Sequence, residues 1–305
     1  MTIGEHLDEF HGQPVVDFQT ADDWVGPGKS YRIKGSWEEG SEGIGEILEE
    51  LAAVPEAAQL KAIVIGLWGS EPADKATEVI DALANLSSSF PKLTGLFLGD
   101  ISFEENEMSW IEQGDVAPLL LAYPKLKEFW VRGGSGLTFS TVKNSSLEIL
   151  GIQTGGLPRS VIRELTRCDF PNLKTLELWI GDVGYGWDGT PEDLQPLLGG
   201  NFFPKLESLG ICNCDGIDEF VPLIVNAPLM SRLTKLDLSK GNLSDVGARS
   251  LLELKRYPQL KTLDLSHHYL SEGMVAQLRK ELSCEVIADD PQEADGEWRS
   301  IYVSE

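Results

Sequence analysis

Leu233-Thr-Lys-Leu236-Asp-Leu238-Ser-Lys-Gly-Asn-Leu243 decides the fold. Its frame, Leu-x-x-Leu-x-Leu, recurs at Leu60-Ile63-Ile65, Leu93-Leu96-Leu98, Leu126-Phe129-Val131, Leu147-Leu150-Ile152, Leu173-Leu176-Leu178, Leu206-Leu209-Ile211 and Leu260-Leu263-Leu265. First positions are separated by 33, 33, 21, 26, 33, 27 and 27 residues. A short strand returning at such a period marks a solenoid, in which each unit buries its apolar face only against its neighbours. The predicted class is α/β: a curved horseshoe with a parallel concave sheet and a mainly helical convex side.

The connecting segments read as helices. Ile44, Ile47, Leu48 and Leu51 share one face, as do Ala76, Val79, Ile80 and Leu83, at the spacing of an amphipathic helix. Thr190-Pro-Glu-Asp193, Ser244-Asp245 and Ser271-Glu272 are helix starts. Further helical faces lie in 157–168, 217–229, 247–256 and 273–282. Phe90-Pro91, Tyr123-Pro124, Phe170-Pro171, Phe203-Pro204 and Tyr257-Pro258 stop the helices, and each aromatic ring is expected to plug the space between repeats. The 21-residue spacing leaves no room for a full helix, so residues 133–143 should cross as an extended or single-turn segment. Three parts are expected: a cap with a degenerate first repeat (1–40), the solenoid (41–287, last strand at Cys284-Glu-Val-Ile287) and an acidic tail (288–305) that is mobile at its end.

These residues resemble the leucine-rich repeat superfamily, and the helical convex segments are most similar to its ribonuclease-inhibitor-like class. Leu98-Gly-Asp-Ile-Ser-Phe-Glu-Glu105 and Ser109-Trp-Ile111 also resemble an uncharacterised bacterial branch. The resemblance spans roughly residues 28–287 and implies a binding scaffold. The ninth repeat position in that family is usually Asn or Cys. Here only Cys214 conforms, beside Trp68, Ile101, Gly134, Gly155, Gly181, Gly241 and His268, so the turns must find other hydrogen-bond partners.

Alternation along each strand turns the leucines inward and the intervening residues onto the concave face. The fifth positions read Val64, Phe97, Trp130, Gly151, Glu177, Gly210, Asp237 and Asp264. The seventh read Gly66, Gly99, Arg132, Gln153, Trp179, Cys212, Ser239 and Ser266. Rings beside glycines make steps and hollows, so Phe97, Trp130, Arg132, Glu177 and Trp179 form the expected partner-binding zone. A second candidate is the pair of loops at 99–111 and 181–189, with Asp100, Glu104, Glu105, Tyr185, Trp187 and Asp188.

The chain carries 25 basic and 49 acidic side chains, a net charge of −24, which disfavours nucleic acid and anionic membrane and suits a protein partner with a basic surface. Four cysteines suggest no disulfide framework, and no leader or membrane-length apolar run is visible, so a cytoplasmic location is expected. No metal or cofactor is expected, since calcium-loop, HExxH, G-x-S-x-G and phosphate-loop patterns are all missing. Cys212 is the one plausible nucleophile, with no histidine at a recognisable place. The leading expectation is therefore a non-catalytic protein-binding scaffold. The alternatives are an enzyme or small-ligand receptor, with Glu128, Glu177 and Arg132 converging on a cleft near Trp179, and a self-assembling repeat protein.

Overall fold

The computed structural model describes residues 3–35, 43–69 and 74–303. Twelve strands form one open sheet in sequential order. They are β1 (Glu9–Phe10), β2 (Gln13–Phe18), β3 (Ser30–Ile33), β4 (Ala62–Ile65), β5 (Gly95–Leu98), β6 (Glu128–Arg132), β7 (Ile149–Gln153), β8 (Thr175–Gly181), β9 (Ser208–Cys214), β10 (Lys235–Asp237), β11 (Thr262–Asp264) and β12 (Glu285–Ile287). β1 and β2 pair antiparallel; every later neighbour is parallel.

The register never slips. Val16, Tyr31, Ile63, Leu96, Phe129, Leu150, Leu176, Leu209, Leu236, Leu263 and Val286 stand side by side in one row. That row faces the main apolar core, and its members from Tyr31 to Leu263 are almost wholly buried. A one-residue slip in any pair would turn a whole apolar set to the other face, which is why the repeat pattern specifies the pairing so tightly.

The other side of the core is built from α1 (Ile44–Ala53), α2 (Thr77–Asn85), α3 (Ala117–Ala122), α4 (Arg159–Leu165), α5 (Gln195–Leu198), α6 (Ile217–Val225), α7 (Asp245–Leu251) and α8 (Glu272–Glu281). The apolar stripes read from sequence are the buried ones: Ile44, Ile47, Leu48 and Leu51 in α1, and Val79, Ile80 and Leu83 in α2. Ser244 and Ser271 cap α7 and α8 through their side chains. Thr190 opens a 3-10 turn (Pro191–Leu194) before the short α5, its amide held by Asp193 Oδ2 at 3.0 Å. Residues 133–148 cross without a helix, touching neighbours through isolated bridges at Ser135, Thr138 and Lys143.

The rings before proline fill the gaps between repeats. Phe90, Tyr123, Phe170 and Phe203 are buried, Phe170 stacks on Phe203 at 6.2 Å, and the Tyr123 hydroxyl donates to Leu83 O at 2.6 Å. In place of an asparagine ladder, separate amides satisfy the turns. Asn144 donates to Leu120 O and Tyr123 O and accepts from the Ser146 and Leu147 amides. Gln113 Nε2 donates to Arg132 O, and Asn242 Oδ1 accepts from Gly216 N.

The tail expected to be mobile at its end is packed as far as residue 303, where Ile301 and Val303 are buried. The residues up to 35 also do more than end the stack, because the β1–β2 hairpin and the segment before it reach over β4 to β6. The proposed boundary at residue 40 lies outside the described residues.

Leu176 is fully buried in the middle of the inward row. Leu176→Ala should therefore destabilise the fold by about 2–5 kcal/mol in urea denaturation, the usual cost of a cavity in a close-packed core; an unchanged midpoint would contradict the row.

Candidate functional site

The face of the sheet turned away from the helices carries the fifth and seventh positions, as expected. Arg32, Val64, Phe97, Trp130, Gly151, Glu177, Gly210, Asp237 and Asp264 form one cross-strand row. The expectation that this face is open is overturned. Phe97, Arg132 and Trp179 are each only 3% exposed, because both chain ends lie over them.

The N-terminal end covers β4 to β6. The hairpin turn uses two residues of positive φ, His11 and Gly12, the backbone handedness that a two-residue hairpin needs. Phe10 beside it meets Phe97 edge to face at 5.8 Å, and Phe97 stacks on Trp130 at 6.3 Å. The Trp130 ring occupies the space over Gly151, where an added Cβ would fall 1.9 Å from ring carbon Cε3. Thus the ring fills the hollow that the sequence pattern suggested was free. His11 fastens the hairpin tip, with Nδ1 2.7 Å from Glu128 Oε2 and Nε2 2.9 Å from Thr94 Oγ1.

Asp100 is the buried anchor of this cover. It is fully buried and accepts from the Leu7 amide at 3.2 and 3.3 Å and from Arg32 Nη1 at 3.1 Å, with Arg132 Nη1 at 3.6 Å. Burial lowers the Arg132 guanidinium to about 10, opposed by the Asp100 charge. Arg132 spends its donors on Gln153 Oε1 and Ile101 O and lies 5.3 Å over the Phe97 ring. Asp100 therefore neutralises the chain's own arginines and is not presented to a partner.

The C-terminal end covers β8 to β11. Val303 sits with Met108, Trp179 and Cys212, joined by Ile3 from the other end. Three turns make its seat: Asn213, Lys240 and His267 occupy the same repeat position, the eighth, and all have positive φ (47°, 67° and 59°). For a residue with a side chain this backbone costs roughly 1–2 kcal/mol. Each touches the covering segment. Asn213 exchanges two hydrogen bonds with the Val303 backbone, Lys240 O accepts from Tyr302 N at 2.9 Å, and the His267 ring meets Tyr302 edge to face at 5.6 Å.

Beneath this cover Glu177, Cys212 and Asp237 bring a carboxylate, a thiol and a second carboxylate within 4.8 Å of one another, a donor set able to hold a divalent cation. In the structure the three are satisfied internally: Trp179 Nε1 donates to Glu177 Oε1 at 2.8 Å, Cys212 Sγ lies 3.4 Å from Asp237 Oδ1, and Lys235 pairs with Asp237. Burial pushes the Cys212 thiol well above its usual range, with Asp237 and Glu177 adding to it, a direction that favours the thiol over the thiolate. The three residues expected to converge on a cleft each have separate partners among the described residues. Glu128 serves His11 and Trp130, Glu177 serves Trp179, and Arg132 serves Gln153 and Ile101.

The edge loops divide. Trp187 is buried against Phe220 at 6.2 Å, and Glu105 is half-buried between His6 and Lys34. Glu104 and Asp188 are exposed, Tyr185 is half-buried, and Asp188 Oδ1 accepts from the Arg159 amide. Sequence reasoning missed the exposed apolar groups on these loops and the tail: Phe103, Trp110 (60% exposed), Val183 and Trp298 (69%). Their signal was present as large apolar residues inside acidic loops that have no repeat position to fill.

A crystal structure of a Bacteroides fragilis protein is 33% identical, over 84% of this chain and 72% of that one, with a TM-score of 0.78. The chain belongs to the same family as that protein. An internalin from Listeria monocytogenes (15% identity, 92% of this chain and 87% of that one, TM-score 0.29) and the leucine-rich repeat domain of APL1B (15%, 81% and 61%, 0.28) also align, at scores that support no argument. No family model and no curated protein matches. Among the described residues no helix is long and apolar enough to cross a membrane.

Burial pushes the Glu177 carboxyl up; the Trp179 hydrogen bond opposes this and Asp237 adds to it. A carboxyl whose folded pKa is raised contributes stability below its unfolded pKa and loses it as pH rises through the folded value. Glu177→Gln should therefore raise the melting temperature at pH 7, and its advantage should shrink as pH falls through the raised folded value and be gone below about 4.3, the ordinary glutamate value. A melting temperature lowered at neutral pH would show that the charge is needed.

Proposed function

We propose that the chain is a non-catalytic protein-binding scaffold whose contact surface is the rim where the strands end, not the floor of the sheet. The observation that carries this reading is the exposure of Trp110 and Trp298, with Phe103 and Val183, among Glu104, Glu107, Asp182, Asp188 and Glu297. Phe103, Asn106, Glu107 and Trp110 line a hollow of about 320 Å³. Exposed rings flanked by acids are the composition of an interface hot spot with a charged surround. The partner is a protein with a basic surface, steered by the net charge of −24. The same charge disfavours nucleic acid and anionic lipid.

The scaffold is read as a leucine-rich repeat solenoid of the ribonuclease-inhibitor-like class, acting in the cytoplasm, with residues 1–40 as its cap, 41–287 as its repeats and 288–305 as its tail. The tail contributes Trp298 to the rim, and Glu104, Glu105, Tyr185 and Asp188 supply the acidic and aromatic surround, while Asp100 and Trp187 lie buried behind it.

The test is affinity capture from the source cell with the wild-type chain, with Phe103→Ser/Trp110→Ser, and with Leu121→Ser. Leu121 is an exposed leucine on α3, away from the rim, and serves as the control. Proteins recovered by the wild type and by the α3 variant should be lost or depleted with the rim variant, and recovery should fall as salt is raised. Equal recovery by all three would remove the rim as the contact surface.

A further inference from the structure

The segment Arg299-Ser-Ile-Tyr-Val303 is held as a bound peptide is held. Its main chain is read at four points. Asn242 Nδ2 donates to Arg299 O at 3.2 Å, and the Tyr269 hydroxyl donates to Ser300 O at 3.0 Å. Tyr302 N donates to Lys240 O at 2.9 Å, and Val303 N donates to Asn213 Oδ1 at 2.8 Å while Asn213 Nδ2 returns a bond to Val303 O. Its side chains alternate as in an extended strand. Ile301 and Val303 are buried, while Tyr302 is half-exposed between the His267 ring and the Lys240 ammonium, 6.0 Å from its centroid. Main-chain hydrogen bonds with pockets for alternate side chains are the way proteins recognise extended peptides.

The groove is built from parts of the chain far from the segment that fills it. Asn213, Lys240 and His267, at one position of three successive repeats, are joined by Asn242 and Tyr269 as its polar groups, and its apolar pocket comes from Met108, Trp179 and Cys212. The tether is of a different kind. Residues 293–298 are exposed throughout and, among the described residues, are bridged by the Asp295–Trp298 pair, so releasing the segment breaks chiefly its own contacts.

We propose that the C-terminal third of this face is a peptide-binding groove filled in cis by the chain's own tail. Its partner in trans is an extended peptide bearing an aromatic residue followed by a branched aliphatic one, as Tyr302-Val303 does. A flexible tether holds the tail at an effective concentration on the order of millimolar, so a free peptide enters only when the tail is released. The groove is thereby gated; release of the tail carries Trp298 away from the rim but leaves Phe103 and Trp110 in place, so the two readings fail separately.

The test uses the full chain carrying Val303→Asp, which places a charge in the apolar pocket and releases the tail, and a fluorescein-labelled peptide of residues 297–305. Anisotropy should show saturable binding to the variant at least about tenfold tighter than to the wild type, and adding Asn213→Ala should weaken it at least about tenfold. If Val303→Asp does not fold, a protease site inserted between Asp295 and Gly296 allows the tail to be cut after folding, and the cut chain should then take up the labelled peptide. A folded variant or cut chain that binds no peptide overturns the proposal, as does equal binding by wild type and variant.

Discussion

One parallel register runs through all the strands from β2 to β12, and both faces of the sheet follow from it. Because side chains alternate, fixing the leucines inward fixes the opposite row just as firmly. That face is not wholly polar: Val64, Phe97 and Trp130 stand on its fifth-position row, and Trp179 stands beside Cys212 two residues further along. A parallel sheet with apolar residues on both faces needs cover on both. The helices supply it on one side and the chain ends on the other. The cover was therefore required once the register was set, although which residues would provide it was not.

What the sequence made legible was local. The repeat frame, the amphipathic stripes and the proline stops each lie within a few residues, and each produces the element it suggests. The fifth and seventh positions were also placed on the correct face. What could not be read was pairing across long separations. Nothing periodic links Phe10 to Phe97, Leu7 to Asp100 or Asn213 to Val303, and those contacts decide whether Trp179 is a docking ring or a buried one. The glycines beside the rings pointed to hollows, yet Gly151 is where the Trp130 ring lies. The left-handed residues Asn213, Lys240 and His267 were harder to read for another reason: none is a glycine, and the tolerance of Asn and His for positive φ is too weak a signal to mark the conformation by itself.

The charge tells a similar story at two scales. The surplus of acids is spread over an exposed surface, where it governs solubility and encounter. Asp100 belongs to neither role. It was read as part of an acidic loop because of its neighbours in sequence, but in the fold its neighbours are Arg32 and Arg132. A buried carboxylate between two arginines costs little only while all three remain, so the N-terminal segment it holds is part of the structure and not an arm attached to it. With the floor closed, the surfaces we propose for meeting other molecules are the rim and, when the tail lets go, the groove beneath it.

The central claim is that both chain ends close the helix-free face, and hydrogen–deuterium exchange of the native chain tests it most directly. The amides of Leu7, Tyr302 and Val303 are bonded to Asp100, Lys240 and Asn213. They should exchange far more slowly than the exposed segment 293–298. Exchange of the Tyr302 and Val303 amides at the rate of an unstructured peptide would contradict the account and return Trp179 to the surface.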